Sequence, residues 1–290
     1  AMNVSPYAVL SVTFTNKAAA EMRGRVEHLL GHGFSGMWLG TFHSIAHRLL
    51  RTHWQEAGLP QAFQILDSDD QIRLVKRLLR ERGLDETRWP PRMVAGYINA
   101  KKEEGLRPGH VQPGYEPAGK QLLELYDAYE RLCRQSGLVD FAELLLRALE
   151  VVRDTPALLE HYRQRFTHLL VDEFQDTNAL QYGWLRLLAG SNGSIFAVGD
   201  DDQSIYGWRG AKVEHIRHFE RDFPQTHVVR LEQNYRSTAT ILQAANAVIA
   251  HNEARLGKNL WTDGAEGEPI QVYACLLYTS PSPRDRTRSR

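Results

Sequence analysis

The stretch Leu169-Leu170-Val171-Asp172-Glu173-Phe174-Gln175-Asp176-Thr177-Asn178 decides how this chain is read. Three apolar residues run straight into two adjacent carboxylates. An apolar run that stops abruptly at charge reads as a buried parallel strand ending at an open edge. Ligands of open α/β sheets sit at the carboxyl ends of the strands, so Asp172 and Glu173 are expected beside one. Neighbouring side chains at a strand end point to different faces, which lets the two acids take different work. Asp172 is expected to hold Mg²⁺, directly or through water, and Glu173 to orient and deprotonate an attacking water; nucleotide hydrolysis needs both roles. A plainer reading makes the acids first-turn charges of the next helix, 179–188, with Asp176 or Asn178 as its N-cap.

Outward from this stretch the chain alternates strands and helices. Residues 8–14 read as a strand, Thr15-Asn16 as N-cap chemistry and 17–30 as a helix. Residues 37–42 form a second short strand, with a helix from His43 to about Trp54. From Asp67 to Tyr162 the periodicity is helical, with no strand pattern interrupting it, and is read as an insertion. The strand pattern resumes at 166–171, 194–198 and 228–231, and Ser237 is expected to cap a helix that runs to about His251. Such alternation with short connections predicts a parallel, doubly wound sheet.

The composition excludes several classes. With 290 residues, 42% hydrophobic and 24% charged, the chain has the make-up of a globular protein of one elaborated domain or two. No apolar run approaches the ~20 residues of a membrane span. Residues 1–12 carry no secretory pattern, and two cysteines, Cys133 and Cys275, give neither a disulfide framework nor zinc spacing. A reducing, cytoplasmic setting is expected. Lys+Arg and Asp+Glu are both 35, so any nucleic-acid site must be local rather than a matter of overall charge.

A second cluster follows the 194–198 strand: Gly199-Asp200-Asp201-Asp202-Gln203-Ser204-Ile205-Tyr206-Gly207-Trp208-Arg209-Gly210-Ala211. The Gln203 amide can donate to a phosphate oxygen and change contact when that phosphate leaves. Tyr206, Trp208 and Arg209 place two aromatics and a cation within four residues. Bases of a single strand stack on such rings without regard to sequence, and Arg209 can pair with phosphate or stack. Phe14, followed by Asn16 at a helix start, and Thr41 with His43 make similar strand-to-helix turns suited to phosphate contact. Arg236, between a strand and a capped helix, is placed to stabilise charge on a transferred phosphoryl group.

Together these stretches resemble the UvrD/Rep-like superfamily 1 DNA helicases. Residues 13–22 look like motif Ia, Gly40-Thr41-Phe42-His43 like Ic and Gly137-Leu138-Val139-Asp140-Phe141 like Id. Residues 171–176 are similar to the Walker B motif II, 198–211 to motif III and 233–238 to motif IV, in order and spacing over 4–274. The resemblance implies ATP-driven 3′→5′ movement on single-stranded DNA and unwinding at its junctions with duplex, in repair or replication. It assigns Mg²⁺ to Asp172, water activation to Glu173, γ-phosphate sensing to Gln203 and an arginine finger to Arg236. It makes Phe14, Asn16, Thr41, His43, Tyr206, Trp208 and Arg209 the DNA track. The implied domains are RecA-like 1A at 1–41 and 167–232, a helical insertion 1B at 42–166, and the start of RecA-like 2A at 233–274.

The departures from the family are as informative. No G-x-x-x-x-G-K-[ST] loop occurs in the 290 residues, and that loop supplies the phosphate cradle, its lysine and a hydroxyl for Mg²⁺. Motifs V and VI are missing too. The chain is therefore expected to be an interior fragment that neither hydrolyses ATP at a useful rate nor unwinds DNA. Residues 275–290, with four arginines among prolines and serines, read as a tail foreign to the domain pattern rather than a basic arm for nucleic acid. Two other functions stay open: an ATP-driven translocase that does not separate strands, and a non-catalytic module that binds single strands through the aromatics alone.

Overall fold

The computed structural model describes residues 4–31, 36–112, 116–190, 193–207, 210–252 and 255–272. The chain divides into two compact units, 1–224 and 225–290.

The first unit is built on a parallel sheet of order β2-β1-β5-β6, formed by β1 (Val9–Thr13), β2 (Trp38–Thr41), β5 (His168–Val171) and β6 (Ser194–Ala197). β1 is central and buried from Leu10 onward, as a strand covered on both faces must be. β6 pairs only with β5 among the described residues, and Phe196 on it is 64% exposed. The register is flush: Thr13 pairs with Thr41, Val12 with Val171, and Val171 with Ala197. Four strand ends therefore lie in one row, and each runs into one of the stretches singled out above.

Helices follow these ends. α1 (Asn16–Leu30) starts at Thr15, whose hydroxyl accepts the Ala18 N–H. α2 (Phe42–Thr52) starts at Thr41, which caps it through the Ser44 N–H. α8 (Ala179–Ala189) opens with a capping box between Asn178 and Gln181. That assigns the cap to Asn178 and leaves Asp172 and Glu173 free of the capping role.

The helical stretch carries its own core. α3 (Ser68–Glu81), α4 (Pro91–Glu103) and α5 (Pro117–Ser136) pack around Val75, Leu79, Ile98, Leu125 and Tyr126. α6 (Phe141–Asp154) and α7 (Pro156–Arg165), like α2, pack instead into the core of the main sheet. The expectation of no strand in this block is corrected. β3 (Gln64–Leu66) and β4 (Leu138–Asp140) form a small parallel sheet. Three-residue strands are too short to display a period of two.

The second unit contains α9's successor in the chain, α10 (Ala239–Ile249), α9 itself (Glu214–Asp222) belonging to the first unit. Thr238, not Ser237, is the residue at the start of α10. The strand expected at 228–231 does not form. Val229 and Leu231 are 66% and 81% exposed, and a strand exists only against a hydrogen-bonded neighbour. The unit holds together through Gln233 paired with Trp261, and through Asn246, whose side chain bonds the Leu260 backbone in both directions. The expected tail at 275–290 lies outside the described residues.

Candidate functional site

The row of strand ends builds the site. Asp172 continues the β5 ladder by donating its N–H to Val12 O at 3.0 Å. Its Oδ2 accepts the Thr13 hydroxyl at 3.2 Å. A carboxylate and a hydroxyl from adjacent strand ends are hard oxygen donors of the kind Mg²⁺ takes, so the residues present fit that ion.

Glu173 turns the chain. Its φ of 51° makes it the non-glycine residue in the left-handed region among the described residues. Such a conformation is strained for a residue with a side chain and concentrates at functional sites. The turn leads into a short 3-10 segment, Phe174–Asp176. Glu173 is exposed, and its Oε2 accepts the Gln175 side-chain N–H at 2.7 Å.

Gln175 is a residue the sequence reading passed over. It is 1% exposed, and its Oε1 accepts the Asp200 N–H at 2.9 Å. One buried amide therefore holds the carboxylate at the end of β5 and the backbone at the end of β6. A Cβ on Gly199 would come within 2.9 Å of that Oε1, which explains the glycine. The available signal was an amide two residues beyond Glu173.

Gln203 lies in a 3-10 segment, Asp201–Gln203, and is exposed. Its amide donates to Asp200 Oδ2 at 2.6 Å, so Gln203 hangs from the residue Gln175 holds. Asp200, Asp201 and Asp202 offer carboxylate oxygens within 4.8 Å of one another. Asp200 is already engaged by the Gln203 amide and the Asp202 N–H.

The segment beyond returns to the Glu173 turn. Tyr206 is 36% exposed. Trp208 and Arg209 lie outside the described residues. Lys212 N–H donates to Thr177 O at 3.1 Å. His215 on α9 is buried, and its Nδ1 sits 3.0 Å from the same carbonyl, which requires Nδ1 to carry the proton. Its ring stacks on Tyr182 at 4.4 Å, and burial lowers its pKa.

The expected track residues on the other strand ends fall into two groups. Phe14 is half-buried and meets Phe42 edge-on at 5.6 Å, while Asn16 is exposed at the start of α1. His43 is half-buried, and desolvation lowers its pKa, which favours the neutral ring. It meets the ring of Phe141 at 5.8 Å. Thr41 is 8% exposed and spends its hydroxyl on the α2 cap. Phe141, 47% exposed, falls in the stretch that resembles motif Id but carries no role of its own in the sequence reading. Its signal was an aromatic directly after a strand end, the pattern already noted at Phe14.

Arg236 belongs to the second unit and is exposed. Its N–H and that of Ser237 both donate to Asn234 Oδ1, at 2.9 and 2.8 Å, which fixes the turn that presents it.

Asp176 is 8% exposed with Oδ1 unpartnered. Burial, then the charge of Glu173, pushes its carboxyl up to about 6.

A parallel α/β domain with two acids at one strand end, one of them tied by a buried amide to the next, has its polar cluster where such sheets place a ligand. Comparison narrows the class. The family model described as UvrD/REP helicase N-terminal domain matches residues 1–224, and that of the UvrD-like helicase C-terminal domain matches 229–276. The chain belongs to the UvrD/REP helicase family. It is 61% identical over 274 residues to DNA helicase II of Escherichia coli (strain K12), covering 94% of this chain and 38% of that protein. DNA helicase II of Haemophilus influenzae is 54% identical over 278 residues, and ATP-dependent DNA helicase PcrA of Leuconostoc citreum 43% over 274. The chain thus spans 38% of the length of DNA helicase II of E. coli. No helix among the described residues is long and apolar enough to cross a membrane.

Proposed function

We propose that this chain carries the hydrolytic carboxylates and much of the single-strand track of an ATP-driven 3′→5′ DNA helicase acting in repair or replication in the cytoplasm. The observation that carries the reading is the Gln175 side chain, which bonds Glu173 and the Asp200 backbone at once. A change at the phosphate end of such a link reaches the segment that leads to Tyr206 through direct hydrogen bonds.

In this reading Asp172, with the Thr13 hydroxyl beside it, holds Mg²⁺. The ion would neutralise charge on the β- and γ-phosphate oxygens. Glu173, its carboxylate oriented by Gln175, takes the proton of the attacking water. Gln203 senses the γ-phosphate and passes its loss to Asp200. The role of arginine finger is proposed for Arg236 from its motif. Phe14, Asn16, His43 and Tyr206, joined by Phe141, form the track, with Trp208 and Arg209 assigned to it from their motif. Thr41 serves the track through the α2 cap that sets His43.

Phosphate release with and without single-stranded DNA tests the motor. The 290-residue chain, without a phosphate cradle in its sequence, is expected to show no useful turnover. In a chain of the relatives' full length, Glu173→Gln is expected to abolish hydrolysis while ATP binding survives. A Glu173→Gln protein that hydrolyses ATP at the parental rate overturns the assignment of Glu173, whereas a full-length parent that binds single strands and never turns ATP over leaves a single-strand-binding module.

A further inference from the structure

Lys102, near the end of α4, is 2% exposed. Its ammonium lies 2.8 Å from Asp140 Oδ2 and 3.0 Å from Glu143 Oε2. Tyr129 on α5 donates its hydroxyl to the same Asp140 oxygen at 2.9 Å. The other oxygen, Oδ1, accepts the Glu143 N–H at 2.8 Å, which makes Asp140 the cap of α6. A single carboxylate therefore joins α4, α5, β4 and the first turn of α6. The residue after it is Phe141, the exposed ring against His43.

A buried ion pair is weak evidence for stability, because apolar side chains of similar volume hold helices together as well or better. What it supplies is direction: a charged donor shared by two carboxylates, with a hydroxyl completing the set, allows one orientation of the cap. Burial alone would lower the Lys102 ammonium, but Glu143 and Asp140 outweigh it and raise its pKa, so the ammonium keeps its charge. The same turn of α4 also approaches Gly210. A Cβ on Gly210, whose φ is +78°, would stand 3.3 Å from Glu103 Oε2.

We infer that Lys102 is a positioning residue for the DNA track: acting through Asp140, it holds Phe141 against His43, so that a helix touching no DNA sets the affinity for it. This rests on the function proposed above.

The test uses the 290-residue chain, a fluorescein-labelled oligothymidylate and the imidazole proton resonance of His43. Tyr129→Phe removes one donor to Asp140 and keeps the ion pair; Lys102→Met removes the cation. Each is expected to weaken oligothymidylate binding about fivefold or more, a fraction of what one base–aromatic stack contributes. Each is also expected to move the His43 resonance as the Phe141 ring shifts. A purely structural Lys102 would lower the unfolding temperature and leave both readouts of the folded protein in place. Where Lys102→Met does not fold, Tyr129→Phe decides. An unmoved His43 resonance overturns the inference whatever the binding. So does a moved resonance with parental affinity, when the control Phe141→Ala weakens binding. If the parent does not bind, or Phe141→Ala binds as the parent does, the track reading falls instead, and the resonance alone judges the positioning.

Discussion

Asp176 should make the stability of the first unit fall as pH rises, against the usual behaviour of a carboxylate. Its carboxyl is raised from the ordinary 3.8 to about 6, first by burial and then by the charge of Glu173. The folded state therefore binds this proton more tightly than the unfolded chain does. The sign follows: the contribution is complete below about pH 4 and is lost as pH climbs through 6. Two units at about 1.36 kcal/mol each set a ceiling of roughly 3 kcal/mol. Water reaching the exposed Glu173 beside it screens part of this and leaves about 1–2 kcal/mol. The perturbation is Asp176→Asn, which keeps the shape and removes the titration. Urea unfolding is followed by tryptophan fluorescence, to which Trp38, Trp54, Trp89, Trp184 and Trp208 of the first unit contribute. The variant is expected to gain on the parent by about 1–2 kcal/mol between pH 4 and 7 and to hold that margin above. A Glu173→Gln background should shrink the gain, since it removes the second cause. A difference that is flat with pH, or that reverses sign, refutes the reasoning.

Other perturbations follow from single contacts. Asn178→Ala breaks the capping box of α8 and is expected to cost about 1 kcal/mol in the same unfolding assay. Glu173→Gly relieves the left-handed backbone but strips the buried Gln175 amide of its acceptor, so the unit is expected to change in stability by less than about 1 kcal/mol, while a full-length version loses hydrolysis. Gln175→Leu removes both bonds of the bridging amide and is expected to cost about 1–3 kcal/mol; in a full-length chain it should lower DNA-stimulated hydrolysis more than ATP binding. Protonating Glu143 should destabilise the helical block only at strongly acidic pH. Burial alone would raise its carboxyl, but Lys102, Arg107 and Arg147 hold it well below the usual carboxylate range, so its contribution is present above the ordinary carboxylate value and lost in acid. Circular dichroism down the pH scale checks that.

The parts of this fold legible in the sequence were those written in long runs. The apolar strands at 9–13 and 168–171 and the helical period from 68 onward survive in the structure with shifts of up to three residues. What failed was short or dependent on a distant neighbour. β3 and β4 have three residues each and exist because each satisfies the other's backbone across seventy-odd positions of chain. Residues 228–231 have strand composition and no strand partner among the described residues, so composition misled. The acids at 172 and 173 could be placed at a strand end from pattern alone, but the bond from Thr13 to Asp172 depends on β1 lying next to β5, a neighbour relation that no local pattern encodes. Phe141 stood in the motif Id resemblance without a role for the converse reason: an aromatic opening a helix is usually core, and only its exposure beside His43 separates it from one.

Gln175 shows why the two acidic clusters belong to one device. Glu173 in a left-handed turn has a backbone that does not by itself fix where its carboxylate goes, and an exposed side chain would sample several rotamers. The buried amide removes that freedom, since Gln175 is itself held by the Asp200 N–H and has no water to exchange with. It can reach Asp200 only because Gly199 carries no Cβ; any side chain there would push into the amide oxygen. Asp200 in turn holds Gln203. A residue in a strained conformation, a buried amide, a glycine and a surface glutamine thus form one chain of bonds across two strand ends. Moving any one of them moves the group proposed to meet the water and the group proposed to meet the phosphate together, which is the physical requirement for hydrolysis and strand grip to change in step.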